Sequence, residues 1–157
     1  QAHSQRVSCL LLGSKRPYFD GTQRARKLFS GSFDNTVRVW DLWKSNGHCI
    51  GVLKHTEDVR DLARYGSMLF AAQGSRIALW DIAKVGSMRR CGELRGHSGI
   101  VDTIVLIGGR VMSAGQGGDI RLWGKAEGTP DQWREMDCWK GHTEQFRVRC
   151  IASDGDG

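Results

Sequence analysis

One hairpin-like segment constrains the fold of this chain more than any other feature of the sequence. Residues 28–42 read LFSGSFDNTVRVWDL: a short apolar run, small residues, a turn at Asp34 and Asn35, and an exit strand that ends in Trp40. Both turn residues tolerate left-handed backbone dihedrals and bond their own backbone, which favours a tight turn. The exit strand is rich in β-branched residues, which favour strands over helices. The segment therefore predicts a β-hairpin.

This hairpin recurs twice, at residues 68–82 and 111–124. Each copy ends in a tryptophan, and the three tryptophans are spaced 40 and then 43 residues apart: Trp40, Trp80 and Trp123. A histidine precedes each hairpin and one more follows the last, giving His3, His55, His97 and His142. A β-rich repeat of about 40 residues with a histidine near its start and a tryptophan near its end is typical of propeller blades.

These markers resemble the WD40-repeat family, and the resemblance covers essentially the whole chain. It implies an all-β fold, a partial β-propeller of four-stranded antiparallel blades that forms an incomplete ring, because closure needs roughly four to eight blades. The implied units are blade 1 at about 3–53 with an inserted loop at 13–27, blade 2 at about 55–94, blade 3 at about 97–139, and the start of a fourth at about 142–157. The inner strand of the fourth unit is predicted at 146–152. We expect its open edge to be covered by further residues of the same polypeptide or by another chain.

The resemblance also implies a hydrogen-bonded tetrad within each blade. In blade 1 its members are His3, Ser30, Asp34 and Trp40. A carboxylate, an imidazole, a hydroxyl and an indole N–H can satisfy one another in this order when buried. Blade 2 has Ala71 and Gly74 at the serine and aspartate positions, and blade 3 has Gly117 at the turn. Both blades are therefore predicted to lack a complete tetrad, and blade 1 is predicted to be the least mobile.

Catalysis is the function class that the sequence supports least. His97, Ser98 and Asp102 have the residue types of a triad, but His97 is the repeat's marker and no nucleophile elbow accompanies it. The five cysteines follow the repeat instead of forming paired zinc-ligand motifs. They predict small buried thiols in a reducing, intracellular compartment, either cytoplasmic or nuclear. No enzyme activity, metal, cofactor, small-molecule substrate or membrane association is expected.

The resemblance implies a docking rim at one end of the blades. Its candidates lie three and five places after each histidine or beside a hairpin turn: Arg6, Ser8, Phe33, Asp58, Arg60, Ile100, Asp102, Gln116, Gln145 and Arg147. The set combines both charge signs with an aromatic ring, which suits a polypeptide better than a nucleic-acid backbone. The leading hypothesis is a non-catalytic scaffold or adaptor that binds a protein partner in a larger complex. The alternative for these residues is a merely solvated rim.

A basic insertion in blade 1 supports a second hypothesis. The interval from His3 to Trp40 is 37 residues, against 25 and 26 in the next two repeats. The cations of the insertion are Lys15, Arg16, Arg24, Arg26 and Lys27, with Asp20 the acidic residue and Tyr18 and Phe19 the aromatics. Such a loop could bind RNA or an acidic peptide, or it could be a solvated loop without a ligand. A third hypothesis is a substrate-recognition module of a ubiquitin ligase or a motor protein.

Overall fold

The computed structural model describes residues 2–13, 27–42, 47–84, 86–126, 128–140 and 147–151. Within these ranges the regular structure consists of twelve β-strands in three four-stranded antiparallel sheets, without helices. Each sheet is a meander in which neighbours in sequence are neighbours in space. The predicted all-β fold is confirmed. No helix of the described ranges is long and apolar enough to cross a membrane.

The three sheets correspond to the three repeats and are called blades 1, 2 and 3. Blade 1 contains β1 (Val7–Leu12), β2 (Lys27–Ser32), β3 (Thr36–Asp41) and β4 (His48–Lys54). Blade 2 contains β5 (Val59–Tyr65), β6 (Met68–Gln73), β7 (Arg76–Asp81) and β8 (Arg89–Arg95). Blade 3 contains β9 (Val101–Ile107), β10 (Arg110–Gly115), β11 (Asp119–Ala126) and β12 (Thr129–Lys140).

The hairpin turns have the backbone conformations that their residues predict. Asn35 adopts a φ of 61° between β2 and β3, in the left-handed region that asparagine tolerates better than most residues. Gly74 adopts a φ of 49° at the equivalent turn of blade 2. The turn chemistry therefore closes the hairpin on which each blade is built.

Two apolar cores lie between the blades. One joins blades 1 and 2 and the other joins blades 2 and 3. Strand β6 supplies both, because Leu69 and Ala71 face the first core while Phe70 and Ala72 face the second. Its apolar run thus reflects burial on both faces. The outward faces of blades 1 and 3 are exposed, with Leu10 at 65% and Trp139 at 41%, so the described blades do not close into a ring.

The hairpin of β11 and β12 is longer than the sequence predicts. Residues 124–134 are expected to be a polar connection, but β11 continues to Ala126 and β12 begins at Thr129. The cause is an apolar contact with blade 2. The ring of Trp133 meets the ring of Phe70 edge-to-face at 4.7 Å and that of Tyr65 at 6.0 Å. This packing favours extension of the paired backbone.

The described part of the predicted inner strand of a fourth blade is not in a strand. Residues 147–151 have no strand assignment, and 146 and 152 lie outside the described residues. The backbone N–H of Val148 donates to the carbonyl of Gly115 at 3.1 Å. A strand requires a hydrogen-bonded neighbour along its length, and the described chain offers this segment no second strand.

Candidate partner-binding cleft

Blade 1 contains a continuous hydrogen-bonded tetrad. Nδ1 of His3 lies 2.8 Å from Oδ2 of Asp34, and Nε2 lies 2.7 Å from Oγ of Ser30. Because a carboxylate only accepts, Nδ1–H donates to Asp34, and Nε2 accepts from the serine hydroxyl. The indole N–H of Trp40 donates to Ser30 Oγ at 2.8 Å. Burial acts to raise the pKa of Asp34, but the hydrogen bonds from Thr36, from His3 and from a backbone N–H outweigh it and lower this pKa to about 2.

Blade 3 also contains a complete tetrad, so the prediction that it lacks one is wrong. His97 lies 3.0 Å from Asp119 Oδ1 and 2.7 Å from Ser113 Oγ, and the indole of Trp123 donates to Ser113 at 2.7 Å. The carboxylate comes from the first residue of β11 and not from the turn. Asp119 lies four residues before its tryptophan, at the position that Thr36 occupies in blade 1. An aspartate at that spacing is the signal that the sequence analysis missed.

Blade 2 has a different arrangement. Nδ1 of His55 lies 2.9 Å from Oε1 of Gln73, which takes the place of a carboxylate. Ala71 stands where the other blades have serine. Among the residues that the structure describes, Nε2 of His55 and Nε1 of Trp80 are buried without a hydrogen-bond partner. Nε2 of Gln73 is also buried without a partner, so the arrangement of His55, Gln73 and Trp80 bears the cost of three unsatisfied polar groups.

Replacing Ala71 by serine is expected to stabilise the protein by about 1 kcal/mol. The new hydroxyl would donate to Nε2 of His55 and accept from the indole of Trp80, as Ser30 and Ser113 do in their blades. The measurement is the free energy of unfolding in urea. Ala71→Cys, which adds similar bulk with a weaker hydrogen-bonding group, is the control. A loss of stability in the serine variant equal to that of the control would contradict this prediction.

Acid is expected to destabilise the protein through His55. Burial and then the charge of Arg90 lower the pKa of His55 to about 4, although the hydrogen bond with Gln73 acts in the opposite direction. The unfolded chain binds this proton near pH 6.5, so stability is fully present above pH 6.5 and is lost as the pH falls toward 4. The loss from this residue is up to about 3 kcal/mol. Urea denaturation at pH 7.5 and 4.5 measures it, and His55→Gln should show a smaller difference between the two pH values.

The five cysteines differ in their exposure to solvent. All five thiols are free. Cys9 is half-buried, and burial raises its pKa to about 11. Cys91 and Cys150 are exposed, so the prediction of buried thiols is wrong for these two. Cys91 lies on β8, the outermost strand of blade 2, and Cys150 lies in the segment that forms no strand.

One cleft of about 390 Å³ brings together six of the ten predicted rim residues. It lies where the inner strands β1 and β5 and the start of β9 meet the turn between β2 and β3. We call this surface the arginine cleft, and its lining residues are Arg6, Ser8, Phe33, Arg60, Asp102, Arg147 and Arg149. The structure thus gathers side chains from all three blades and from the segment that follows them.

An aromatic ring supports two of the arginines. The guanidinium carbon of Arg6 lies over the ring of Phe33 at 4.4 Å from its centroid, and that of Arg60 lies at 5.2 Å. Both distances are within the range of cation–π attraction. Ser8 does not present its hydroxyl to a ligand, because its Oγ lies 2.5 Å from the carbonyl oxygen of Val59 and links blades 1 and 2.

Asp102 holds the other part of the cleft together. Its carboxylate accepts from Arg60 at 3.1 Å and from Arg147 through two donors. The hydrogen bond with Asp102 raises the pKa of Arg147. Arg60 also contacts Asp58 at 2.9 Å. The two other arginines of the cleft are Arg6 and Arg149. Neither forms an ion pair with any residue that the structure describes.

The other predicted rim residues lie at the margin. Asp58 contacts the cleft residue Arg60. Ile100 is half-buried, and its carbonyl accepts from the backbone N–H of Gln116 at 2.8 Å. Gln145 lies outside the described residues. Arg149 was missed, although it lies two positions after Arg147, a spacing that repeats a side-chain direction in extended backbone.

Of the five cations of the basic insertion, the structure describes Lys27. Lys15, Arg16, Arg24 and Arg26 lie outside the described residues. The sequence predicts Lys27 in the inserted loop, but in the structure it is the first residue of β2. Its carbonyl accepts from the N–H of Gly13 at 2.7 Å. Burial, followed by the charge of Arg64, lowers the pKa of Lys27. Strand pairing with Asp41 explains its inclusion in the blade.

The three four-stranded meanders, packed face to face around two cores, define this chain as a partial β-propeller. A family model described as "WD domain, G-beta repeat" matches residues 1–41. These findings support the WD40-repeat family, as the spacing of the histidines and tryptophans predicts.

Known proteins agree with this assignment. The chain is 29% identical over 160 residues to a WD repeat-containing protein of Schizosaccharomyces pombe. This match covers 98% of this chain and 41% of that protein. The crystal structure of the WD40 propeller domain of Doa1 matches with a TM-score of 0.64 and 25% identity, over 85% of this chain and 42% of the other. The structure of U3-55K shares the fold, with a TM-score of 0.68 at 18% identity, over 90% of this chain and 41% of that chain. The chain thus spans about two fifths of the length of these proteins.

Proposed function

We propose that this chain is a non-catalytic interaction module that binds a polypeptide partner, as part of a larger complex, through the arginine cleft. The WD40 propeller is generally a scaffold for protein interactions, which supports the class of function. The observation that supports this particular surface is the convergence of Arg6, Arg60 and Arg147 from different parts of the chain on one cleft. Concave sites with few oriented polar groups and an aromatic anchor are typical of recognition surfaces.

The buried tetrads argue against catalysis at the residues that most resemble a catalytic site. Asp119, His97 and Ser113 have the types and the hydrogen bonds of a serine hydrolase triad. However, Ser113 is 0% exposed, and its oxygen accepts from the indole of Trp123. A substrate carbonyl has no access to such a hydroxyl. The structural role of the tetrad is therefore the better explanation of this geometry.

Affinity capture with the intact protein tests the proposal. Extract is passed over the wild-type protein and over Arg60→Glu and Asp102→Arg, with and without nuclease, and retained proteins are identified by mass spectrometry. We expect protein partners that survive nuclease and are lost from both cleft variants. The matched control is Arg110→Glu, because Arg110 is exposed at the start of β10, at the opposite end of that strand from the cleft.

Two outcomes would contradict the proposal. One is retention of the same partners by the wild-type protein and by both cleft variants. The other is loss of all partners on nuclease treatment, together with loss when Arg24 and Arg26 are neutralised, which would move the function to RNA and the inserted loop. Circular dichroism of each variant establishes that the blades are folded before capture is compared.

A further inference from the structure

We propose that the arginine cleft recognises an anionic side chain, a carboxylate or a phosphate, within an acidic segment of its polypeptide partner. This inference rests on the proposed function and specifies the chemistry of the partner. The lining of the cleft contains four guanidinium groups and one carboxylate. Arg60 and Arg147 share that carboxylate, and Asp58 beside the cleft contacts Arg60, so two carboxylates face four guanidinium groups and an excess of positive charge remains. A concave surface with one sign of excess charge attracts ligands of the other sign.

Arg6 and Arg149 are the residues that we assign to the anion. Neither forms an ion pair with any described residue. Arg6 is also oriented, because its guanidinium lies over the ring of Phe33. A guanidinium that stacks on an aromatic ring keeps the N–H groups at its edge available. Those groups match the two oxygens of a carboxylate or phosphate, which is the geometry of bidentate recognition.

Asp102 is a positioning residue in this arrangement. It bonds Arg60 at 3.1 Å and Arg147 through two donors, so it fixes both side chains at the wall of the cleft. Its own negative charge opposes anion binding. The two effects of Asp102→Asn therefore have opposite signs. If only the net charge mattered, this variant would bind an anion more tightly, whereas loss of arginine positioning weakens binding.

The aromatic residue of the cleft favours a peptide over RNA. Proteins that grip single-stranded nucleic acid stack successive bases on exposed aromatic faces. Phe33 is not free for this role, because Arg6 and Arg60 both lie over its ring. The cleft volume of about 390 Å³ also suits a few side chains rather than a run of nucleotides.

Selection from a displayed library of random peptides on the intact protein tests this inference. We expect the selected peptides to be enriched in Asp and Glu over the starting library. A selected peptide is then compared by fluorescence anisotropy with a version in which Asn and Gln replace its acids and with a version that contains phosphoserine. The amide version should bind at least tenfold more weakly. The comparison of the acidic with the phosphoserine version identifies which anion the cleft prefers.

The variants assign the binding to particular residues. Arg6→Gln and Arg149→Gln should each weaken binding about tenfold, and Asp102→Asn should weaken it as well. Arg110→Gln, which removes the same charge away from the cleft, should have little effect. Tighter binding by Asp102→Asn would remove the positioning role. Equal weakening by Arg110→Gln would show that the anion responds to the net charge of the protein and would overturn the site.

The failure of this inference can be distinguished from the failure of the proposed function. If the library yields uncharged peptides whose binding is lost in Arg60→Glu, the cleft binds a polypeptide but the anionic chemistry is wrong. If no selected peptide depends on cleft residues, both proposals fail. Tighter, cleft-dependent binding of single-stranded RNA than of any selected peptide would also overturn both.

Discussion

Replacing Trp123 by alanine is expected to lower the free energy of unfolding by about 3–5 kcal/mol, a large fraction of the stability of an ordinary domain. Trp123 is 2% exposed and lies in the core between blades 2 and 3. Its removal leaves a cavity and deprives Ser113 of the indole N–H that donates to it at 2.7 Å. Urea denaturation monitored by far-ultraviolet circular dichroism measures the loss. An effect below about 1 kcal/mol would contradict the core role of this residue.

Blade 2 supplies a matched control for the hydrogen bond. Trp123→Phe removes a satisfied indole N–H, whereas Trp80→Phe removes one that is buried without a partner. Trp80→Phe should therefore cost about 1 kcal/mol less than Trp123→Phe, since losing an unsatisfied donor offsets part of the lost packing. Equal costs would indicate that the indole hydrogen bond of blade 3 contributes little to stability.

Replacing Asp61 by alanine is expected to cost about 2–4 kcal/mol, because this carboxylate joins blade 2 to blade 3. Its Oδ2 accepts from the backbone N–H of Ile104 at 2.8 Å and from the hydroxyl of Thr103 at 3.1 Å. Its Oδ1 accepts from the N–H of Leu62 at 2.9 Å. Alanine would leave these donors without their partner next to an apolar core. The measurement is again the free energy of unfolding in urea.

Two further variants separate the contributions of Asp61. Burial raises the pKa of Asp61, and the hydrogen bonds from Ile104, Leu62 and Thr103 oppose that rise. Asp61→Asn removes the cost of a buried charge and keeps one acceptor oxygen, so its loss should be smaller than that of Asp61→Ala. Thr103→Val should cost about 1 kcal/mol, because it removes only the hydroxyl. A loss in Asp61→Asn as large as in Asp61→Ala would show that the charge itself is required.

The repeat made the fold predictable. Tryptophans and histidines recur with the period of the blades, and β-branched residues and turn chemistry place the hairpins locally. The errors occur where tertiary contacts decide. Trp133 extends the last hairpin because Phe70 of the neighbouring blade offers an apolar surface. Asp119 completes a tetrad from the strand because its carboxylate reaches the same imidazole as a turn residue would.

The sequence predicts most of the residues that line the cleft but not the ion pairs between them. Positions counted from the histidines gave Arg6, Arg60, Asp102 and Arg147 as neighbours at one rim, since the repeat fixes where each inner strand begins. The sharing of Asp102 between two arginines depends on distances between blades. No spacing within one repeat contains that information. The excess of positive charge in the cleft therefore emerged only from the assembled blades.

The placement of β6 between two cores has a consequence for the order in which this molecule loses structure. Among the described residues, blade 1 and blade 3 each contribute to one core, whereas blade 2 contributes to both. In stacked repeats, stability is approximately the sum of unit terms and nearest-neighbour interface terms. Of the two described interfaces, opening of blade 1 or blade 3 disrupts one, whereas opening of blade 2 disrupts both. The backbone amides of β6 in blade 2, and not those of blade 1 as the sequence predicts, should be the last to exchange with solvent.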